Sequence, residues 1–397
     1  MKVFMLGWEL PPHNSGGLGR ACYDLCKSMA NNNLDIEFIL PYDADHDIDF
    51  MTVTPATTLD IKDFNSFFSV YDSSKFSSNI NTHEFFDQYR MYEMAVSELI
   101  ENKEFDIVHA HDWLTFRAAI RIKEKRNVPI ILHVHSIESD RSGGNKGNPL
   151  VREIEEYCLN LADKVIAVSE LTKQAIIKEY GVPEENIEVV HNSMNLEDII
   201  PLSGNNSYRY IELLKSQGYR IVVNFGRLTI QKGLPGLIQA FSKVVKVHPK
   251  AILLIIGSGE QYFELIKLST DLGVGHNVLF TEFQRGKQLR DGIAIGDLFV
   301  MPSISEPFGL TALEAIGYGT PALVSKQSGV SEIMNNILKV DFWDIDEMAN
   351  IIASALENPA LLDNLKENSM KELNHISWND SVQKIKNLYD LQLGATV

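Results

Sequence analysis

Short apolar runs alternate with longer amphipathic segments along most of the chain. Six runs in the first half are predicted as strands, at residues 3–6, 36–40, 106–110, 130–134, 165–168 and 187–190. Six more follow in the second half, at residues 221–225, 251–256, 278–280, 298–301, 322–325 and 337–340. Such runs are typical of strands with helices on both sides, so the alternation predicts an α/β fold with parallel sheets.

The alternation starts twice, which predicts two doubly wound domains in a chain of 397 residues. A polar stretch opens after the last strand of the first half, so we place the domain boundary between residues 194 and 195. Residues 42–82 lack a clear period and are interpreted as an irregular excursion or a short hairpin. The segment from residue 377 onward is amphipathic and is predicted as a final helix.

Composition narrows the classes of protein. The net charge is −17, which disfavours nucleic acid as a partner. No run reaches the ~20 apolar residues that a membrane-spanning helix needs. Residues 117–126 form a basic segment; it reads as a solvated helix face or as a contact for anionic membrane or phosphate, so peripheral membrane contact stays open.

Cysteine usage is sparse. The chain has 3 cysteines, an odd and low count that suits a reducing cytoplasm. Cys22 and Cys26 share one helical face, but no histidine lies near them in sequence. The sequence therefore predicts no metal site at these thiols.

Residues that follow strands are the candidates for ligand binding, because ligands of such sheets bind at the carboxyl ends of strands. In the second half, Arg227 and Lys232 follow the first strand at a spacing that suits a diphosphate. Glu306 and Glu314 bracket a glycine turn and a predicted helix start, where free N–H groups favour an anion. An acidic loop before an ordinary amphipathic helix is the alternative. Gly257 lies in a further turn after a buried strand.

Histidines and glycines follow strands in the first half. Gly16 and Gly17 open a helix after the first strand, either as a plain turn or as a close approach to a ligand. His109-Ala-His111-Asp112 could suggest a metal site, but no further ligands follow at metal-site spacing, so none is predicted. His135 ends the next strand and shares a face with His133.

These motifs together resemble a known family. E-P-F-G-L-T-A-L-E-A resembles the E-x7-E motif of nucleotide-sugar glycosyltransferases. The paired glycines, H-x-H-D-W, V-H and G-R-L-x-x-x-K-G occur in the order found in glycosyltransferase family 4, which includes glycogen-synthase-like and sucrose-synthase-like enzymes. One departure is Asn14-Ser15, where bacterial glycogen synthases carry a lysine before the glycines; this disfavours ADP-glucose-dependent glycogen synthesis.

The resemblance implies the GT-B fold, with two Rossmann-like domains facing a cleft. Residues 1–194 would form the acceptor side, residues 195–376 would bind the nucleotide sugar, and the helix at 377–397 would cross back onto the first domain. The implied enzyme is a retaining hexosyltransferase without metal or cofactor. UDP-glucose is the expected donor, ahead of GDP-mannose and ADP-glucose, and the acceptor is a glucan, another carbohydrate or a lipid-linked precursor.

The resemblance also implies residue roles. Arg227, Lys232 and the helix start would neutralise the leaving diphosphate, Glu306 would hold sugar hydroxyls, and His135 would orient the sugar. The remaining implied substrate-binding residues are Gly16, Gly17, Asp112, Trp113, Asn192, Gly257, Phe308, Gly309, Leu310, Thr311 and Glu314. Arg141 and Lys146 lie in a loop near the same edge, as contacts for phosphate or acceptor or as solvated charges. A nucleotide-sugar epimerase and a non-catalytic sugar-nucleotide-binding subunit are the alternative functions.

Overall fold

A computed structural model describes residues 1–13, 16–59 and 82–394. Its internal contacts divide the chain into two compact units. The N-terminal unit comprises Met1–Arg141, Lys146–Ser193 and Ser377–Val397, and the C-terminal unit comprises Ser142–Asn145 and Met194–Ile376. Across the described residues, no helix combines the length and apolarity needed to cross a membrane.

The N-terminal unit is built on a seven-stranded sheet in which every pairing is parallel. Its strands are β1 (Lys2–Leu6), β2 (Asp35–Leu40), β3 (Thr52–Pro55), β4 (Ile107–His111), β5 (Ile130–Val134), β6 (Lys164–Ala167) and β7 (Ile187–Val189). Their order in the sheet is β3-β2-β1-β4-β5-β6-β7. All five residues of β4 and of β5 are buried, as the apolar runs predict.

Helices connect these strands. They are α1 (Gly17–Asn31), α2 (Thr82–Leu99), α3 (Trp113–Lys125), α4 (Glu138–Arg141), α5 (Pro149–Leu161) and α6 (Glu170–Tyr180). Helix α6 shows how the local sequence sets the ends. The Ser169 side chain accepts from the Thr172 N–H at its start, and Gly181 in the left-handed conformation ends it.

The C-terminal unit repeats the plan with a six-stranded parallel sheet of order β10-β9-β8-β11-β12-β13. Its strands are β8 (Arg220–Phe225), β9 (Ala251–Ile256), β10 (Val278–Phe280), β11 (Leu298–Met301), β12 (Ala322–Ser325) and β13 (Leu338–Val340). Its helices are α7 (Arg209–Ser216), α8 (Leu234–Val247), α9 (Tyr262–Asp271), α10 (Gly286–Ala294), α11 (Leu310–Gly317), α12 (Val330–Ile333), α13 (Ile345–Glu357) and α14 (Pro359–Leu373).

Both sheets reverse their strand order once, beside their first strand. In the N-terminal unit β1 lies between β2 and β4, and in the C-terminal unit β8 lies between β9 and β11. Ligands of open α/β sheets bind where the order reverses, at the carboxyl ends of the strands. The fold therefore directs attention to the loops after β1 and β4 and after β8 and β11.

The last helix, α15 (Trp378–Gln392), packs within the N-terminal unit. Its Trp378 and Tyr389 are fully buried, and the Ser381 hydroxyl donates to the His191 carbonyl at 2.7 Å. The Asn32 side chain, at the end of α1, donates to that of Asn379 at 2.8 Å. Helix α15 thus covers α1 and completes the core of that unit.

One element differs from the sequence prediction. Residues 42–82 were expected to form an irregular excursion or a hairpin, but Thr52–Pro55 is an edge strand that pairs in parallel with β2. Two of its four residues are exposed and two are partly buried, so no apolar run marks it. Residues 60–81 of this segment lie outside the described part of the chain.

Candidate active site

The loop after β8 presents Lys232 at the end of a 3-10 turn, Ile230–Lys232. Gly233 follows in the left-handed conformation, with φ of 64°. A Cβ atom on Gly233 would lie 2.2 Å from the Pro302 carbonyl oxygen. A glycine is therefore required for the loop after β8 to approach the loop after β11 this closely.

Hydrogen bonds join the same two loops. The Gln231 side chain donates to the Ser305 carbonyl at 3.0 Å, and the Ile304 N–H donates to the Gln231 carbonyl at 2.9 Å. Gln231 is buried, so these bonds are protected from water. The loop that carries Lys232 and the loop that carries Glu306 thus form one structure.

Lys232 and Glu306 form a sheltered ion pair. The Lys232 Nζ lies 2.6 Å from Glu306 Oε2, and the Ser303 hydroxyl donates to the same oxygen at 2.9 Å. The two side chains are 20% and 10% exposed. Because the Lys232 ammonium is partly exposed, it can also bind an anion that carries more negative charge than the carboxylate.

The backbone of Glu306 is fixed by the loop after β12. Its N–H donates to the Gln327 carbonyl at 2.9 Å, and its carbonyl accepts from the Gly329 N–H at 3.0 Å. This loop spans residues 325–332. Glu332 is exposed, and the loop backbone holds Glu306 in place.

Helix α11 begins at Leu310, shortly after Glu306 in the chain. Gly309 precedes it with φ of 108°, and Phe308 is buried at 3% exposure. Leu310, Thr311 and Glu314 are partly exposed on its first turns. Helix N-termini carry partial positive charge, so this end of α11 favours an anion next to Lys232.

Arg227 and Gly257 lie in loops that interlock at the ends of β8 and β9. Arg227 is exposed. A Cβ atom on Gly257, with φ of 151°, would lie 1.9 Å from the Gly226 carbonyl oxygen. Gly257 is therefore demanded by the packing of the two loops; contact of Gly257 or Arg227 with a nucleotide stays a prediction.

In the N-terminal unit, four histidines at the ends of β4 and β5 pack into one cluster, which we call the histidine cluster: His109, His111, His133 and His135. His109 Nε2 lies 3.1 Å from His133 Nδ1, and His109 Nδ1 contacts the Tyr389 hydroxyl of α15. His111 Nδ1 lies 2.9 Å from His135 Nε2. His135 alone among the four is partly exposed.

The histidine cluster is uncharged at neutral pH. Burial lowers the pKa of His109 and of His135 to about 3. Burial also lowers the pKa values of His111 and His133, and their neighbouring imidazoles add to the effect. His135 therefore acts as a neutral hydrogen-bonding group, not as a proton donor in its charged form.

Asp112 holds the turn that carries His135. Its carboxylate accepts from the His135 N–H at 2.7 Å and from the Ser136 N–H at 3.2 Å. Its own backbone has φ of 57° and ψ of 166°, a region that is costly for any residue except glycine. Strain of this kind is typical of functional positions. Asp112 is 1% exposed, so in this structure it acts on the turn rather than facing solvent.

Arg141 is also a structural residue of this turn. It pairs with Glu138 at 3.1 Å and with Glu155, and it donates to the Ser136 carbonyl at 2.8 Å. The sequence suggested a solvated charge or a contact for phosphate or acceptor. With only 10% of its side chain exposed, Arg141 is not a solvated charge, and contact with a ligand stays a prediction. Burial of Glu155 in α5 supplied a partner that the sequence spacing could not reveal.

The other predicted residues of this unit vary in exposure. Trp113 and Asn192 are buried at 3% and 5%. The Gly16 N–H donates to the Glu9 carboxylate at 3.2 Å, whereas a Cβ on Gly17 would meet nothing within 4 Å. Gly17 therefore borders open space at the start of α1, and Gly16 packs against Glu9.

The basic segment 117–126 makes its contacts within the N-terminal unit. Arg117 and Arg121 lie 3.3 and 3.6 Å from the Glu93 carboxylate, and Lys123 lies 2.6 Å from Asp163. Arg126 donates to the Lys103 carbonyl at 2.7 Å. These partners fit a solvated helix face, and contact of this segment with anionic membrane or phosphate stays a prediction.

Two protein-family models match the chain. The family model of glycosyl transferases group 1 matches residues 211–372, and the model of glycosyltransferase family 4 matches residues 15–198. An uncharacterized glycosyltransferase of Methanocaldococcus jannaschii is 28% identical over 99% of this chain and 99% of its own.

Two solved structures share the fold. Sucrose-phosphate synthase from Thermosynechococcus elongatus superimposes with a TM-score of 0.78 at 19% identity, over 100% of both chains. Anabaena HepE, solved in complex with UDP-glucose, gives 0.70 at 20% identity, over 98% of this chain and 99% of its own. The fold is therefore GT-B, as expected from the sequence.

The two family matches identify the class of protein as a glycosyltransferase. The chain belongs to the group 1 glycosyltransferases of family 4.

Proposed function

We propose that the protein is a retaining hexosyltransferase that uses a UDP-sugar, with UDP-glucose first, and an acceptor hydroxyl of a carbohydrate or glycoconjugate. The observation that carries this proposal is the Lys232–Glu306 pair beside the start of α11, at the ends of β8 and β11. This is where the strand order of the C-terminal sheet reverses, so Lys232 and the N-terminus of α11 lie at the edge of the sheet where ligands of this fold class bind.

The chemistry follows from the leaving group. The acceptor oxygen bonds to the anomeric carbon as the bond from that carbon to the phosphate oxygen breaks. The nucleoside diphosphate leaves, and its departing oxygen takes the acceptor proton. Charge therefore develops on the diphosphate, and preorganised positive groups stabilise that charge most in the transition state. Lys232, Arg227 and the N–H groups at the start of α11 supply it.

The carboxylates and the histidine bind neutral parts of the donor. Glu314 is placed one helical turn inside α11, where it can accept from the ribose hydroxyls while the diphosphate lies at the helix start. Glu306 holds hydroxyls of the transferred sugar and favours positive character at its ring. His135, neutral at physiological pH, offers Nδ1 to a sugar hydroxyl because Nε2 faces His111.

The donor preference rests partly on the structural neighbours. HepE was solved with UDP-glucose, which supports a uridine nucleotide here. GDP-mannose is the second donor to test, and ADP-glucose the third.

A thermal-shift panel on the full chain tests the proposal. A bound donor stabilises the folded state by about 2.7 kcal/mol at a hundred times its Kd, so UDP-glucose should raise the melting temperature more than GDP-mannose or ADP-glucose. Transfer with a pool of carbohydrate acceptors should then release UDP and give an α-linked product. If no sugar nucleotide stabilises the chain, the proposal is wrong. Donor conversion without acceptor would indicate an epimerase, and binding without turnover a non-catalytic subunit.

A further inference from the structure

We propose that the N-terminal unit binds one thiophilic transition-metal cation of the Zn²⁺ class through Cys22, His111 and His135. The site is built by the fold, because its ligands come from α1, from the end of β4 and from the turn after β5. No two of them lie close enough in sequence to suggest it, and the thiols of α1 were expected to lack histidine neighbours.

Geometry brings the donor atoms together. Cys22 Sγ and one ring nitrogen from each histidine all lie within 4.8 Å of one another. His111 Nδ1 and His135 Nε2 face each other at 2.9 Å. Two nitrogen ligands of tetrahedral zinc lie about 3.3 Å apart, given Zn–N bonds of about 2.0 Å. Small movements of the side chains would therefore close a site with one thiolate and two imidazoles.

The thioether of Met5 fixes the tautomer in which His111 can bind a metal through Nδ1. Met5 Sδ, on the adjacent strand β1, lies 3.0 Å from His111 Nε2. Sulfur is a weak acceptor, so Nε2 carries the hydrogen and the Nδ1 lone pair points toward His135. An outer partner that fixes the tautomer of a ligating histidine is a recurring feature of metal sites.

Local charge also favours a cation. Cys22 is fully buried, and the carboxylates of Glu9 and Asp112 are 4% and 1% exposed. The negative potential of these two buried carboxylates stabilises a metal cation, which would displace the thiol proton on binding.

A second group, His109, His111 and His133, also has ring nitrogens within 4.8 Å of one another. Both ring nitrogens of His109 are already engaged, by Tyr389 and His133, and all three rings are buried at 0–1% exposure. The Cys22 group has a thiol and a partly exposed histidine, so it offers both a charged ligand and a route for entry.

Titration of the full chain with Co²⁺ tests this site directly. Wild type should bind one equivalent and develop the near-ultraviolet thiolate-to-cobalt charge-transfer band, and Zn²⁺ should remove it. Cys22→Ser should abolish the band. Cys26→Ser is the matched control, because Cys26 is an equally buried thiol one turn along α1; it should retain the band. Met5→Leu should weaken binding by about tenfold or more.

Three results would overturn the proposal: no band in wild type, a band that persists in Cys22→Ser, or equal loss in Cys26→Ser. Circular dichroism verifies the fold of each variant, and Cys22→Ala replaces Cys22→Ser if the hydroxyl disturbs the core. The proposal does not rest on transferase activity. If His135 acts as proposed above, Zn²⁺ also inhibits transfer and Cys22→Ala relieves the inhibition. Metal binding without inhibition would reject that role of His135 and leave the site intact.

Discussion

At the scale of single residues, the Lys232–Glu306 pair is both a support and a proposed binding group. Glu306 is 9% exposed, and among the described residues its side chain is held by Lys232 and Ser303. Loss of one partner from a buried charge is costly because the remaining charge keeps its desolvation penalty. Substitutions of Lys232 therefore change stability as well as binding, and the two effects must be separated.

A double-variant cycle separates them. Lys232→Met should lower the free energy of unfolding by about 1–3 kcal/mol, because it leaves the Glu306 carboxylate without its cation. Lys232→Met combined with Glu306→Gln should recover most of that loss, since an amide needs no counter-charge. Lys243→Met, which removes an exposed partner of Asp346, should change stability by less than about 0.5 kcal/mol. Urea denaturation measures these three variants and the single variant Glu306→Gln, which completes the cycle. An additive double variant would show that the pair contributes little to the fold.

The histidine cluster shows why the residue scale was only partly predictable. The first H-x-H string lies on β4, and the second begins on β5 and ends in the turn after it. His111 pairs in register with His133. Alternation along each strand placed His133 and His135 on one face, as predicted. The pairing of β4 with β5 and the buried contact of His109 with Tyr389 could not be predicted, because sequence spacing does not show which elements pack together.

At the scale of elements, the apolar runs located the strands well because buried parallel strands are apolar on both faces. The strand at 251–256 and that at 298–301 match the observed β9 and β11. The strand β3 was missed because it is a half-exposed edge. Loops between elements were less predictable, since their positions depend on close backbone contacts such as that between Gly257 and Gly226.

A pair of glycine variants tests that loop contact. Gly257→Ala places Cβ 1.9 Å from a carbonyl oxygen, whereas a Cβ on Gly226, with φ of 138°, meets nothing within 4 Å. Gly226→Ala should cost about 1–3 kcal/mol from backbone strain alone. Gly257→Ala should cost clearly more, because the loop must also move. Calorimetric melting of both variants measures the difference, and equal melting temperatures would contradict the interlocked arrangement.

At the scale of the whole molecule, the repeated α/β alternation predicted two doubly wound domains, and the resemblance to glycosyltransferase family 4 implied that they form the GT-B fold. The stability of the N-terminal unit should also depend on pH. Its four clustered histidines are neutral when folded, with pKa values lowered by burial, to about 3 for His109 and His135. In the unfolded chain each titrates near 6.5. Below that pH the unfolded state binds more protons, so stability decreases as pH falls.

This predicts the direction of the pH profile. For metal-free protein in a chelator, the free energy of unfolding should fall by about 2–4 kcal/mol between pH 6.5 and 5.5. Each histidine that is protonated only in the unfolded state contributes at most about 1.4 kcal/mol per pH unit. Between pH 7.5 and 8.5 the histidines should contribute no slope. Urea denaturation across this range measures the profile. A flat profile from pH 6.5 to 5.5 would show that the histidines take up protons in the folded state.

The central claim is that the C-terminal unit holds the donor diphosphate between Lys232, in the loop after β8, and the start of α11. Isothermal titration calorimetry with UDP tests it most directly, on wild type, Lys232→Met and the surface control Lys243→Met. Wild type and Lys243→Met should bind one UDP with affinities that agree within about twofold. Lys232→Met should bind UDP about ten- to a hundredfold more weakly, because it loses one charge-assisted hydrogen bond. Equal affinity of Lys232→Met and wild type would contradict the account.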